Sequence, residues 1–258
     1  MVALTDEQQA ALDDLRAVLP SHRVLLIGAT ALAQHVPLDY RTTEDLDLAI
    51  DIGPEAFPGP LATIPGWRPH PQMEHRFVTA KEQTVDVLPA GAAVRAAGKL
   101  VWPSGHEMNM EGFALAFEHA VPDGELLVPP APALALLKMR SWLDRPAERR
   151  KDLDDLAHLM RGYADENDDD YWDPRVQDAY WDVEAIAPFL LGRDLARLAK
   201  GSHWPTIDAF LERATVERLT ATGAWPCPAN VTTARAAFEE GLADGAEQRD
   251  PGGADDGA

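Results

Sequence analysis

The N-terminal region combines a helical pattern of apolar positions with a short, continuous apolar run. Apolar residues recur at helical spacing behind Thr5 and Gln8, which have the spacing of a capping box, and we predict a helix over residues 6–19. The apolar run over residues 23–28 ends at a glycine and predicts a buried strand. A second helix is expected over residues 29–35, so the chain begins as helix, strand, helix.

Alternation of apolar and polar residues dominates the region that follows. Residues 45–51 alternate strictly, which predicts a strand with one apolar and one polar face. Residues 74–79 and 83–88 are expected to pair as a β-hairpin, and further short strands are expected between residues 108 and 128. From residue 130 onward the apolar spacing becomes helical.

This change of pattern predicts an α+β protein with two parts. We expect one domain over residues 1–129 and a helical domain over residues 130–243. The last segment, residues 244–258, is rich in Gly, Asp and Ala and offers almost nothing to bury, so we predict a disordered acidic tail.

Composition narrows the class of protein. The chain has 258 residues, 46% of them hydrophobic, which is enough for a substantial core. Its one cysteine, Cys227, excludes an internal disulfide framework and a cysteine-based metal cage. No apolar stretch approaches the roughly 20 residues that cross a bilayer, and the N-terminus lacks the features of a signal peptide. We therefore expect a cytoplasmic protein with no membrane partner.

The formal net charge of −20 is unevenly distributed along the chain. Residues 164–184 contain nine acidic and one basic side chain, and residues 239–258 contain seven acidic and one basic. Residues 134–161 are by contrast mildly basic, with seven basic and five acidic side chains. The overall charge argues against broad, nonspecific binding of nucleic acid, but it leaves room for a focused site that handles phosphate.

Two carboxylates in the strictly alternating strand are the first candidates for chemistry. Asp45 and Asp47 are two residues apart, so in a strand they point the same way, and a divalent metal would relieve their repulsion. Asp86 belongs to a second strand and would complete a three-acid site for Mg²⁺ if the strands are neighbours. Two such ions could stabilise the attacking and leaving oxygens of a phosphoryl transfer. The alternative is the solvated polar face of an edge strand.

A turn upstream of these acids has the features of a phosphate-binding element. Gly28, Ala29 and Thr30 lie where a buried strand ends and a helix begins, so backbone N–H groups there could bind an anion. The alternative is an ordinary connection between a strand and a helix.

The two motifs together resemble a known superfold. A strand, Gly-x-Thr and a helix, followed by Arg-x-Thr-x-Asp-x-Asp from Arg41 through Thr43 to Asp47, are similar to the nucleotidyltransferase core of polymerase-β-like enzymes. The residues of these motifs resemble in particular those of the AbiEii-type nucleotidyltransferase toxins of type IV toxin-antitoxin systems. That resemblance, over about residues 24–160, implies a mixed β-sheet with flanking helices, followed by a helical region. It also implies nucleotide-binding roles for residues of both motifs, namely Gly28, Ala29, Thr30, Arg41 and Thr43.

The helical half carries residues that match the same family. Lys138, Arg145 and the motif Lys151-Asp152-x-x-Asp155 correspond to its lysine, arginine and Lys-Asp-x-x-Asp positions. Seven residues separate Lys138 from Arg145, so the two share a face if the helix is continuous. The resemblance implies catalytic roles for Lys138 and Asp152, nucleotide contacts for the other three, and a cleft between the two halves. The alternative is a surface helix with ordinary ion pairs.

The resulting expectation is a Mg²⁺-dependent enzyme that transfers a nucleoside monophosphate from an NTP to a hydroxyl acceptor. As the resemblance implies, the acceptor would be the 3′ end of a tRNA and the partner a cognate antitoxin. Two alternatives stay open: an adenylyltransferase for a protein or for a small molecule such as a polycationic aminoglycoside, which the acidic surface would suit, and a non-catalytic nucleotide-binding module.

Overall fold

The structure, a computed structural model, describes residues 4–40, 44–164, 168–174, 176 and 183–249. Its contacts divide the chain into two compact units, Met1–Pro130 and Ala131–Ala258, which we call the sheet unit and the helical unit. That residues 1–129 and 130–243 act as separate domains stays a prediction. No helix in the described ranges has both the length and the apolar character needed to cross a membrane.

The sheet unit alternates helices and strands. Its helices are α1 (Asp6–Val18), α2 (Gly28–Leu32), α3 (Pro58–Ala62), α4 (Ala92–Ala97) and α5 (Phe113–His119). Its strands are β1 (Val24–Leu26), β2 (Leu46–Ile50), β3 (Arg68–Pro69), β4 (Arg76–Val78), β5 (Thr84–Pro89), β6 (Lys99–Val101), β7 (Glu107–Asn109), β8 (Val121–Asp123) and β9 (Leu126–Val128). The capping box of Thr5 and Gln8 is formed, so the predicted start of the first helix is confirmed.

A mixed sheet organises this unit, as predicted. Within the described residues it has seven strands in the order β3-β4-β5-β2-β1-β9-β8, and β6 pairs with β7 separately. Strand β2 is parallel to β5 and antiparallel to β1, while β1 is parallel to β9. The predicted hairpin is the antiparallel pair β4 and β5. Strands β1 and β2 lie in the middle of the sheet, where all three residues of β1 and four of the five residues of β2 are buried.

Local structure departs from expectation in two places. The α-helix that follows β1 ends at Leu32 and not at residue 35, and hydrogen-bonded turns continue to Val36. Pro37 follows Val36, and a proline disfavours the helical conformation of the residue before it. The region between residues 108 and 128 contains helix α5 in addition to the expected strands. Apolar residues of this region are buried on that short helix.

The helical unit contains only helices among its described residues. They are α6 (Ala131–Asp144), α7 (Arg150–Gly162), α8 (Val183–Leu198), α9 (Trp204–Arg213), α10 (Val216–Thr220) and α11 (Pro228–Arg249), with 3₁₀ turns at Asp169–Trp172 and Gly201–His203. The change to helical structure at residue 130 is therefore confirmed.

Helices α8 and α11 approach each other closely. A Cβ atom on Gly241 would collide with the carbonyl oxygen of Phe189, and one on Gly245 would collide with the carbonyl oxygen of Arg193. Helix α11 continues to Arg249, so the prediction of a disordered tail from residue 244 is wrong for residues 244–249. Composition misled because Gly245, which offers no side chain to bury, packs its backbone against α8. Residues 250–258 of the predicted tail lie outside the described residues.

Candidate active site

The turn between β1 and α2 rests directly on the second strand. Gly28 has a φ of 65°, and a Cβ atom there would meet the Asp47 carboxylate, with Cγ at 2.5 Å and the Cβ of Asp47 at 2.7 Å. The backbone N–H of Ile27 donates to the carbonyl oxygen of Asp47 over 3.0 Å. A glycine is required here both by the positive φ and by the close approach of Asp47.

The residues after Gly28 turn inward. Ala29 and Thr30 are each 3% exposed, and the Thr30 hydroxyl is buried without a hydrogen-bond partner in the described parts of the chain. A buried hydroxyl without a partner is unusual, because burial removes its hydrogen bonds to water. The structure thus brings Gly28 against Asp47 of strand β2 and buries the side chain of Thr30. Arg41 and Thr43, the other predicted nucleotide-binding residues of this unit, lie outside the described residues.

The predicted carboxylates come together on neighbouring strands. Asp47 of β2 lies opposite Asp86 of β5 in the parallel register, which confirms that the two strands are adjacent. Asp45 immediately precedes β2, two residues before Asp47, and its side chain is 40% exposed, whereas that of Asp86 is only 14% exposed. β2 is an interior strand, so the alternative of an edge strand is excluded.

An arginine that the sequence reasoning missed lies among these acids. Arg76 of β4 stands opposite Asp86 in the hairpin. Its Nε and one terminal nitrogen donate to the two carboxylate oxygens of Asp86, each over 2.7 Å, and that terminal nitrogen also donates to Asp45 over 3.2 Å. The bidentate hydrogen bond with Asp86 raises the pKa of the Arg76 guanidinium above its usual value. Equal-length pairing back from the predicted hairpin turn would have placed Arg76 opposite Asp86.

The residues present fit a divalent cation by their chemistry. Three carboxylates supply hard oxygen ligands of the kind that Mg²⁺ prefers, and one cationic side chain already pairs with two of them. In the arrangement described, however, no three His, Cys, Asp or Glu side chains within the described ranges are grouped as a metal site. The donor set therefore suits the ion, whereas the geometry is that of an arginine-bound acidic cluster.

The helical unit has a buried ionic cluster of its own. Lys138 on α6 donates to Asp152 over 3.0 Å and to Asp155 over 2.6 Å, both on α7. Asp152 also accepts from Ser141 over 2.8 Å and from Arg149 over 2.7 Å. The side chains of Lys138, Asp152 and Asp155 are 8%, 1% and 0% exposed. The alternative of a surface helix with ordinary ion pairs is therefore excluded for these three residues.

Opposing effects set the ionisation of this cluster. Burial alone would lower the pKa of Lys138, but Asp152 and Asp155 outweigh it and the net direction is upward. Burial alone would raise the pKa of Asp152, but Lys138 and Arg149 reverse that effect and the net direction is downward. Both partners are therefore held charged, and each depends on the other because an unpaired buried charge is strongly unfavourable.

The remaining predicted residues of the helical unit are on its surface. Helix α6 ends at Asp144 and Arg145 lies beyond it, so the continuous helix on which a shared face of Lys138 and Arg145 depended is not formed. Pro146 follows Arg145 and disfavours its helical conformation. The Arg145 side chain is 57% exposed and lies 3.4 Å from Glu148, and Lys151 at the start of α7 is also exposed.

A mixed sheet that carries acidic side chains on neighbouring strands, beside a strand–glycine–helix turn, is consistent with a nucleotidyltransferase-like fold. Comparison with protein families identifies the particular group. The family described as "Nucleotidyl transferase AbiEii toxin, Type IV TA system" matches residues 10–249, so the chain belongs to the AbiEii family. The match extends well past residue 160, where the resemblance in the sequence motifs ended. Searches of curated proteins and of solved structures found no match.

Proposed function

We propose that this chain is a Mg²⁺-dependent nucleotidyltransferase that transfers a nucleoside monophosphate from an NTP to the 3′-terminal hydroxyl of a tRNA. It would act in the cytoplasm as the toxin of a type IV toxin-antitoxin pair, with a cognate antitoxin as its partner. The observation that carries the proposal is the contact between Gly28 and Asp47, with Asp86 in register beside Asp47. Membership in the AbiEii family supports the reaction class.

The acids of the sheet unit have the central roles in this proposal. Asp45, Asp47 and Asp86 would hold one or two Mg²⁺ ions, which would neutralise the triphosphate and stabilise the reacting oxygens. Asp86 would accept the proton of the acceptor hydroxyl. The acceptor oxygen then forms a bond to the α-phosphorus, and the bond between the α-phosphorus and the bridging oxygen breaks to release pyrophosphate. The turn over Gly28, Ala29 and Thr30 would orient the triphosphate through its backbone N–H groups.

The family resemblance extends the proposal to residues of the helical unit and to two near β2. Lys138 and Asp152 would assist the reaction as a charged pair, in which Asp152 fixes the position of the Lys138 ammonium group. The expected contacts with the nucleotide come from Arg41, Thr43, Arg145, Lys151 and Asp155. Each of these roles can be tested by substitution of the one side chain concerned.

The direct test is a transfer assay with labelled NTPs, Mg²⁺ and total tRNA. The wild-type chain is compared with Asp47→Asn, which keeps the size of the side chain against Gly28, and with the control Glu107→Gln. Glu107 is an exposed acid paired with Lys99 on the β6–β7 hairpin, which is not part of the seven-stranded sheet that carries the site. We expect a loss of about 100-fold or more for Asp47→Asn, the scale of removing one electrostatic catalytic group, and no loss for Glu107→Gln. Equal activity of Asp47→Asn and wild type would refute the metal-binding role.

The same assay separates the alternative acceptors. Parallel reactions contain an aminoglycoside or a protein mixture in place of tRNA, and transfer to one of these acceptors alone would replace the tRNA proposal. NTP binding without pyrophosphate release from any acceptor would identify a non-catalytic nucleotide-binding module.

A further inference from the structure

Three charged residues form a row across three neighbouring strands. Arg76 of β4 lies opposite Asp86 of β5, and Asp86 lies opposite Asp47 of β2. Residues directly opposite each other in a sheet share a face, so the row places one cation and two carboxylates on the same side. Asp45 lies two residues before Asp47 and is within hydrogen-bond distance of Arg76.

The guanidinium of Arg76 satisfies these acids to a large extent. It binds both carboxylate oxygens of Asp86 in a fork and reaches Asp45 with the same terminal nitrogen that binds Asp86. A planar guanidinium matches a carboxylate in this way, whereas a lysine ammonium would act as a single point charge. The oxygen atoms engaged by Arg76 are among those that a metal ion would need.

The position of Arg76 also allows its guanidinium to move away from the carboxylates. Its side chain is 27% exposed, whereas that of Lys138 in the helical unit is only 8% exposed. A divalent cation carries twice its charge and can therefore compete for the same carboxylates.

We propose that Arg76 is the internal counter-cation of the acidic site, and that a divalent cation binds Asp45 and Asp86 only when the guanidinium releases them. This inference rests on the metal ligands assigned under the proposed function. Arg76 is accordingly a positioning residue: it stabilises the acids in the metal-free protein and reduces their affinity for metal.

This role predicts two effects of opposite sign when the guanidinium is removed. In Arg76→Gln the carboxylates lose their guanidinium partner, so the metal-free protein melts at a temperature lower by about 2 °C or more. The same acids no longer exchange a guanidinium for the metal, so their affinity for a divalent cation rises by about tenfold or more, the equivalent of one charge-assisted hydrogen bond. A residue with only a structural role would not increase metal affinity.

The experiment titrates the full chain with Mn²⁺, a spectroscopic probe for Mg²⁺ sites, and measures bound ion by electron paramagnetic resonance and calorimetry. The proteins are wild type, Arg76→Gln, Arg76→Lys and the control Arg68→Gln. Arg68 lies on the adjacent strand β3, is 63% exposed and pairs with Glu82, so its removal changes the charge equally without touching the site. Arg76→Lys keeps the charge but not the fork, and it provides a folded comparison if Arg76→Gln does not fold.

Tighter Mn²⁺ binding by Arg76→Gln, an intermediate gain for Arg76→Lys and no change for Arg68→Gln would support the inference. Equal or weaker binding by both Arg76 variants would overturn it, as would a gain of the same size for Arg68→Gln. Nucleotide transfer by the wild type with unchanged Mn²⁺ affinity in the variants would leave the proposed function standing and remove this inference. Tighter Mn²⁺ binding by the Arg76 variants without transfer to any acceptor would support this inference and refute the proposed function. Absence of Mn²⁺ binding in every protein would refute both this inference and the proposed metal site.

Discussion

Substitution of Gly28 by alanine tests the contact on which the candidate site depends. The backbone there has a φ of 65°, and alanine in the left-handed region is less favourable than glycine by roughly 1–2 kcal/mol. The added Cβ would also overlap the Asp47 carboxylate, whose Cγ would lie 2.5 Å away, and overpacking of this kind costs about 1–3 kcal/mol. Gly28→Ala should therefore lower the free energy of unfolding by about 2–5 kcal/mol.

The chain offers a matched control for the backbone part of this effect. Gly98, which ends helix α4, has a φ of 66°, and a Cβ there would meet nothing within 4 Å. Gly98→Ala should therefore lose only the conformational part, roughly 1–2 kcal/mol. The difference between the two variants measures the collision with Asp47.

Urea unfolding of Gly28→Ala, Gly98→Ala and wild type gives the two free energies from the midpoints and slopes. A double-mutant cycle adds Asp47→Ala, which removes two of the three atoms that the new Cβ would meet, namely Oδ2 and Cγ. We expect Gly28→Ala to be clearly less destabilising in that background. The reasoning is refuted if Gly28→Ala and Gly98→Ala are equally destabilising, or if the Gly28→Ala effect is the same with and without the Asp47 carboxylate.

Two further predictions concern the helical unit. Asp152→Asn should lower the free energy of unfolding by about 1–3 kcal/mol at neutral pH, because the buried Lys138 loses one charged partner but keeps Asp155. The lowered pKa of Asp152 means that its contribution is complete above the ordinary value of 3.8 and is lost as pH falls through the folded-state value, so wild type should lose stability faster than Asp152→Asn in acid unfolding below about pH 4. Gly241→Ala should lower the melting temperature because its Cβ meets the Phe189 carbonyl, whereas Gly201→Ala, with open space around its Cβ, should not; equal calorimetric melting of the two variants would contradict this packing argument.

Local patterns predicted most of the sheet unit because the signals lie within a few residues of each other. The capping box of Thr5 and Gln8 and the strict alternation of β2 each report on one element, and both are formed. The pairing of β2 with β5 could be stated only as a condition from the sequence, since it joins residues about 40 positions apart. The contact between Gly28 and Asp47 was not predictable, because it depends on how two elements pack and not on the pattern of either one.

The charged residues of the site were predicted less evenly. Arg76 was overlooked because an arginine in a half-polar strand looks like a surface residue until the register of the hairpin is applied. Lys138 and Asp152 were identified, but spacing along the chain could not reveal their burial, which follows from the packing of α6 against α7. Arg145 was expected to share a face with Lys138 only if the helix continued, and α6 instead ends at Asp144, shortly before Pro146.

Helix α11 bears on how the end of an acidic chain should be interpreted. Its buried side combines large apolar residues, such as Phe238 and Leu242, with Gly241 and Gly245, while most of its acids are exposed. The polar residues between these positions give the segment a polar composition, although its glycine backbone packs directly against α8. Tags, truncations and fusion junctions for this chain are therefore best placed beyond Arg249 and not at the residue where the composition first turns acidic.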